Sequence, residues 1–145
     1  MTKEDYKSLL GNAVIFYNSA RFLMDNCSKT KDSNEVVSYY VSSIVNFAFA
    51  SELCMKAVLS HELISYNKIH LLKELFYLYP TNLKTEIYRL LELEPAAFNK
   101  KLDSISNVFA DWRYFVFNNR NLHIDNIFLS NFCSMLFKQA ISLLD

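Results

Sequence analysis

The stretch "IVNFAFASELCMKAVL", residues 44–59, is apolar on every side of a helical wheel apart from two charges, Glu52 and Lys56. Outward from it, to about 34–63, Val37, Tyr40, Val41, Ile44, Phe47, Ala48, Met55, Val58 and Leu59 recur at three- and four-residue intervals. The other side carries Val45, Phe49, Leu53 and Ala57. A helix that is apolar all round has to be covered on several sides, so this one is expected at the centre of the molecule. Glu52 and Lys56 stand four apart with Glu first, the favourable order for a structural ion pair on one helical face. Ser33 is placed to cap this helix, with Glu35 near the positive end of its dipole.

The neighbours follow the same helical period. Leu9, Leu10, Ala13, Phe16, Tyr17, Ala20 and Leu23 mark a first helix over about 4–26, closed by the polar run "CSKTKDSN". "IHLLKELFYLY" reads as a short helix stopped by Pro80, and "PTNLKTEIYRLLEL" as another capped by Thr81 or Asn82. Pro95 suits the first turn of a long helix over about 95–118, because its missing N–H would be unpaired there. "NNRNLHIDN" interrupts, and "IFLSNFCSMLFKQAISLL" makes the last helix. The expected architecture is all-α, a single domain over 1–145 built as a bundle of five or six helices.

Composition narrows the chemistry. Of 145 residues, 52% are apolar, and a single Gly and two Pro leave almost no hairpins or phosphate-cradling glycine loops. Fifteen basic and fifteen acidic side chains cancel, which disfavours binding nucleic acid through bulk charge and leaves room for a local cationic site. Cys27, Cys54 and Cys133 form no CxxC pair and read as reduced core thiols. His61 and His70 fall on different elements, so no metal site is expected, and nothing calls for a cofactor. The charged N-terminus has no signal-peptide pattern and no uninterrupted apolar run reaches 18 residues, so a cytoplasmic protein without a membrane span is expected.

One segment stands apart. In "FADWRYFVFNNRNLH", residues 109–123, Phe109, Arg113, Val116 and Arg120 fall within roughly 60° on a helix, and His123 joins the two arginines within about 80° if the helix continues. A buried arginine has to be paired. Arg113 can pair with Glu52 inside the bundle, with Arg120 in solvent and His123 ending a helix. Alternatively Arg113 and Arg120 offer planar forks to a phosphate, His123 exchanges protons near neutral pH, and Asn118 and Asn119 add hydrogen bonds.

Three stretches then resemble the HEPN superfamily of helical domains from bacterial toxin–antitoxin, CRISPR and phage-defence proteins. "ASELCMKAVL" (50–59) is similar to its Glu-Leu-x-x-Lys-Ala central helix, "IHLLKELF" (69–76) to its His-x-Leu helix, and "FADWRYFVF" (109–117) to the Trp-Arg-Tyr segment of one branch. The resemblance implies a homodimer that brings two Arg-x4–6-His motifs together. In catalytic members that site is a metal-independent endoribonuclease, with RNA as substrate because its 2′-hydroxyl attacks the adjacent phosphorus. Carried onto this chain, the catalytic residues are Arg113, Arg120 and His123. Nine residues separate Arg113 from His123 and two separate Arg120 from it, against four to six in the family. A non-catalytic interaction module that binds a partner protein or a nucleotide is the other reading. An antitoxin or immunity protein covering a cognate defence-system partner is a further one.

Overall fold

The computed structural model describes residues 3–108 and 124–144, and among these the fold is all-α, six helices with no strand. They are α1 (Lys3–Cys27), α2 (Ser33–His61), α3 (Leu72–Tyr77), α4 (Thr81–Leu91), α5 (Pro95–Ile105) and α6 (Asn126–Leu144). α2 runs through the middle. α1 lies along it through Ala13 and Ala20, whose small side chains are fully buried and let the two helices approach closely. α6 covers another side with Leu129, Phe132, Cys133 and Leu136, and α3 packs across the C-terminal half of α2. Ile44, Cys54, Met55, Val58 and Leu59 are all excluded from solvent as a result.

A second knot of rings joins the short helices to α6. The Phe98 ring centroid lies 4.7 Å from Phe76, 5.0 Å from Tyr88 and 5.7 Å from Phe132. Each such pair adds about 0.5–1.5 kcal/mol beyond area burial. Gln139 reaches from α6 to α4, its amide donating to the Leu83 carbonyl at 3.1 Å and to Glu86 at 3.2 Å.

Several helix ends differ from the sequence expectation. α2 is capped by Asp32 and not Ser33: Asp32 is extended (φ −77°, ψ 119°), and its Oδ1 accepts the N–H groups of Asn34 and Glu35. A carboxylate accepts two donors at once and adds charge at the positive end of the dipole. α4 begins behind Pro80 with no side-chain cap from Thr81 or Asn82, because Pro80 sits at the cap position itself. α5 does begin at Pro95, but it stops at Ile105 with a turn at 106–107 instead of running on unbroken. Ser106 accounts for the stop. Its buried hydroxyl donates to the Leu102 carbonyl at 2.7 Å and accepts the Lys73 N–H at 3.2 Å, tying the end of α5 to the start of α3.

With one glycine in the chain, left-handed positions fall to other residues. After α2, Leu63 N–H bonds the Ser60 carbonyl and Ile64 N–H bonds the Leu59 carbonyl, with Leu63 at φ 60°. After α4, Glu92 and Leu93 repeat the pattern onto Arg89 and Tyr88, with Glu92 at φ 54°. This is the paired hydrogen-bond closure that glycine usually supplies, and an L side chain there costs about 1–2 kcal/mol. By length and composition α2 and α6 are each apolar enough to cross a bilayer. In α2 two-thirds of that apolar window is buried inside the bundle, so core packing accounts for it.

Two outcomes follow from these ends. Leu63→Gly should raise the urea midpoint, a gain of about 1 kcal/mol, because Leu63 is 84% exposed and leaves no cavity. Asp125 caps α6 by accepting the Phe128 N–H at 2.9 Å, and it accepts from Lys101 at the same distance. That backbone hydrogen bond, with help from Lys101, holds its carboxyl below the usual 3.8. A depressed folded pKa stabilises above the unfolded value and fades as pH falls through the folded one. The stability advantage of wild type over Asp125→Asn should therefore be constant well above pH 3.8 and be lost as pH falls from there through the lowered folded value in acid denaturation curves.

Candidate functional site

Arg113, Asn118, Asn119, Arg120 and His123 lie outside the described residues. The structure does describe the two ends that flank them, Val108 buried beyond α5 and the Lys101–Asp125 pair joining α5 to the start of α6.

The polar centre among the described residues is Glu52. It sits in the fully packed part of α2 with only 3% of its side chain exposed. A lone carboxylate there would cost several kcal/mol. Two partners converge on one of its oxygens: the Lys56 ammonium, with Nζ 2.7 Å from Oε1, and the His70 imidazole, with Nδ1 2.9 Å from the same atom. Lys56 arrives from the next turn of α2, as the four-residue spacing allows. His70 arrives from the turn that precedes α3, 18 positions along the chain. Lys56 is itself 13% exposed, and its ammonium lies 5.7 Å from the centre of the Tyr66 ring. The Tyr66 hydroxyl in turn is 3.1 Å from Ser60 Oγ.

This geometry assigns the histidine tautomer. Nδ1 is 2.9 Å from a carboxylate oxygen and 3.3 Å from the Lys56 ammonium, which has no lone pair to offer. The shorter contact is satisfied by Nδ1–H donating to Glu52, which leaves Nε2 outside the pair. The His70 side chain is 70% exposed, so Nε2 belongs to a largely solvent-facing ring anchored from behind by a buried acid. A carboxylate that holds an imidazole in this way fixes the orientation of the ring, and the Lys56 ammonium beside it adds local positive charge. Sequence reading found the Glu52 and Lys56 spacing but not His70 as a third member. The one available signal was a histidine opening the helix after the one that carries the buried acid.

The other reactive groups are accounted for elsewhere. His61 pairs with its neighbour Glu62 at 3.1 Å and meets the Tyr6 ring edge-on at 5.3 Å. Burial pushes the Cys133 thiol up to about 12 and the Cys54 thiol well above its usual value, so neither is a nucleophile or ligand at neutral pH. Among the described residues no group of three His, Cys, Asp or Glu side chains is placed to hold a metal ion.

Lys56→Met should destabilise the fold by about 3–5 kcal/mol in urea titrations, because Glu52 would stay buried without its nearest counter-charge. The double variant Glu52→Gln/Lys56→Met should recover most of that loss. His70→Ala, at an exposed ring, should cost under about 1 kcal/mol.

No protein-family model matches the chain, and neither a curated protein nor a solved structure matches it.

Proposed function

We propose that the chain is a cytoplasmic HEPN-like protein of a bacterial defence or toxin–antitoxin system that acts as a homodimer and cleaves RNA without a metal. The observation that carries this reading is the buried Glu52 holding the exposed His70 by Nδ1, with Lys56 alongside. The three sequence motifs of the family resemblance supply two of these residues directly, Glu52 and Lys56, and His70 opens the second motif.

In this reading His70 Nε2 accepts the proton of a ribose 2′-hydroxyl. The freed oxygen attacks the adjacent phosphorus, the P–O5′ bond breaks, and the 5′-oxygen leaves with a proton from His123. The products are a 2′,3′-cyclic phosphate and a 5′-hydroxyl. Arg113 and Arg120 bind the phosphate oxygens, with Asn118 and Asn119 adding hydrogen bonds, and Lys56 adds positive charge as the phosphorane forms. Glu52 stabilises the imidazolium that forms on His70 and fixes its orientation, the role a buried acid plays behind any histidine base.

A second reading has its own support. Ile15 and Phe22 on α1 are 60% and 67% exposed and Ile127 on α6 is 68% exposed, which suits a non-catalytic module or antitoxin that covers a partner protein.

Purified protein incubated with total RNA separates the two. Cleavage should survive EDTA and leave cyclic phosphate ends. His70→Ala and His123→Ala should each lower the rate by about 100-fold or more, with the helical circular-dichroism signal unchanged. Full activity in either variant removes that histidine from the mechanism. Absence of cleavage on every RNA, together with a partner that co-purifies, supports the module instead.

A further inference from the structure

Beside the acid–histidine pair lies an open groove of about 900 Å³ between α3, α4 and the face of α5. Ile69 lines one end of it, and His70 is the next residue, one Cα step of about 3.8 Å away. Tyr77, at the end of α3, also lines the groove and is 77% exposed, a large aromatic surface left in water. Lys84 from α4 places its ammonium 5.0 Å from the centre of that ring. A ring so exposed cannot be covered on both faces, so one face is steadied by Lys84 and the other is open. Asn99 and Lys73 contribute an amide and a second ammonium, and Lys73 is only loosely engaged with Asp103 at 3.8 Å, both ends being more than half exposed.

We propose that this groove seats one nucleotide of single-stranded RNA, its base on the open face of Tyr77 and its phosphate on Lys84. The proposal rests on the RNA reading above and names where the strand lies. The groove's ring, amide and ammonium groups match the parts of a nucleotide in kind, and the carboxylates of Glu74 and Asp103 on the same lining leave Lys84 as the place for the phosphate. An aromatic face takes any base, since every base has a π-surface. The Asn99 amide both donates and accepts, as a base edge requires. The ammonium of Lys84, which has no carboxylate partner among the described residues, takes a phosphate. An apolar peptide helix would cover these polar groups without pairing them, at a cost for each. A strand that leaves the groove by its Ile69 wall passes the residue next to His70. The groove thus selects unpaired RNA, because a base inside a duplex has no free face to give.

The test is fluorescence anisotropy with a labelled single-stranded oligoribonucleotide and with the same sequence as a duplex. The proteins are wild type, Tyr77→Ala, Tyr77→Phe, Lys84→Ala and His70→Ala, each checked for folding by circular dichroism. Tyr77→Ala should weaken single-strand binding roughly tenfold or more, and Tyr77→Phe should bind as wild type does. Lys84→Ala should weaken binding and flatten its salt dependence by about one ion. His70→Ala should lose cleavage while its affinity stays within about threefold of wild type. Wild type that cleaves RNA while Tyr77→Ala binds unchanged overturns the groove and leaves the ribonuclease reading standing. Preference for the duplex also overturns the groove. Wild type that neither binds nor cleaves RNA overturns both. A folded Tyr77→Ala that loses binding to peptide partners but not to RNA assigns the groove to protein instead.

Discussion

A carboxylate buried in the best-packed part of a helix dictates much of what surrounds it. α2 is central because it is apolar on every side, and Glu52 lies on its best-packed stretch. The Lys56 ammonium on the same helix supplies the counter-charge, and the His70 imidazole reaches the same oxygen from the turn before α3. That contact places a histidine at the surface with a buried acid behind it. Both contacts share one oxygen atom, Glu52 Oε1.

The short helices α3, α4 and α5 follow in the chain. Ser106 lies at the end of α5 and binds the first turn of α3, tying together two of the helices that line the groove. The Phe76–Phe98–Phe132 rings fasten the same helices to α6. Left-handed Leu63 and Glu92 let the chain leave α2 and α4 sharply without glycine. That strain is spread over connections, where the packed rings and α2 contacts outweigh it.

The extents of α1, α2 and α6 were legible because each repeats its apolar residues long enough for the helical period to show. The ends were less so. Asp32 and Ser33 are adjacent and both are good caps, and only the backbone conformation at Asp32 separates them. The segment 95–118 has helical periodicity throughout, and its interruption falls at a serine that bonds both its own helix and the Lys73 N–H of another. His70 was not legible as part of a site. Its partner is 18 positions away, and the ring is exposed, so neither periodicity nor burial marks it.

By itself the sequence determined an all-helical bundle, a central helix with one acid–lysine pair, and two core thiols, Cys54 and Cys133, with Cys27 half-buried against that expectation, because apolar periodicity and local spacing are properties of a chain read in order. Tertiary structure decided which nitrogen of His70 meets Glu52, where α5 stops, and that an aromatic groove opens beside the pair. Those features depend on groups far apart in the chain being brought within hydrogen-bonding distance. No local pattern encodes that distance, since it is set by how the helices pack.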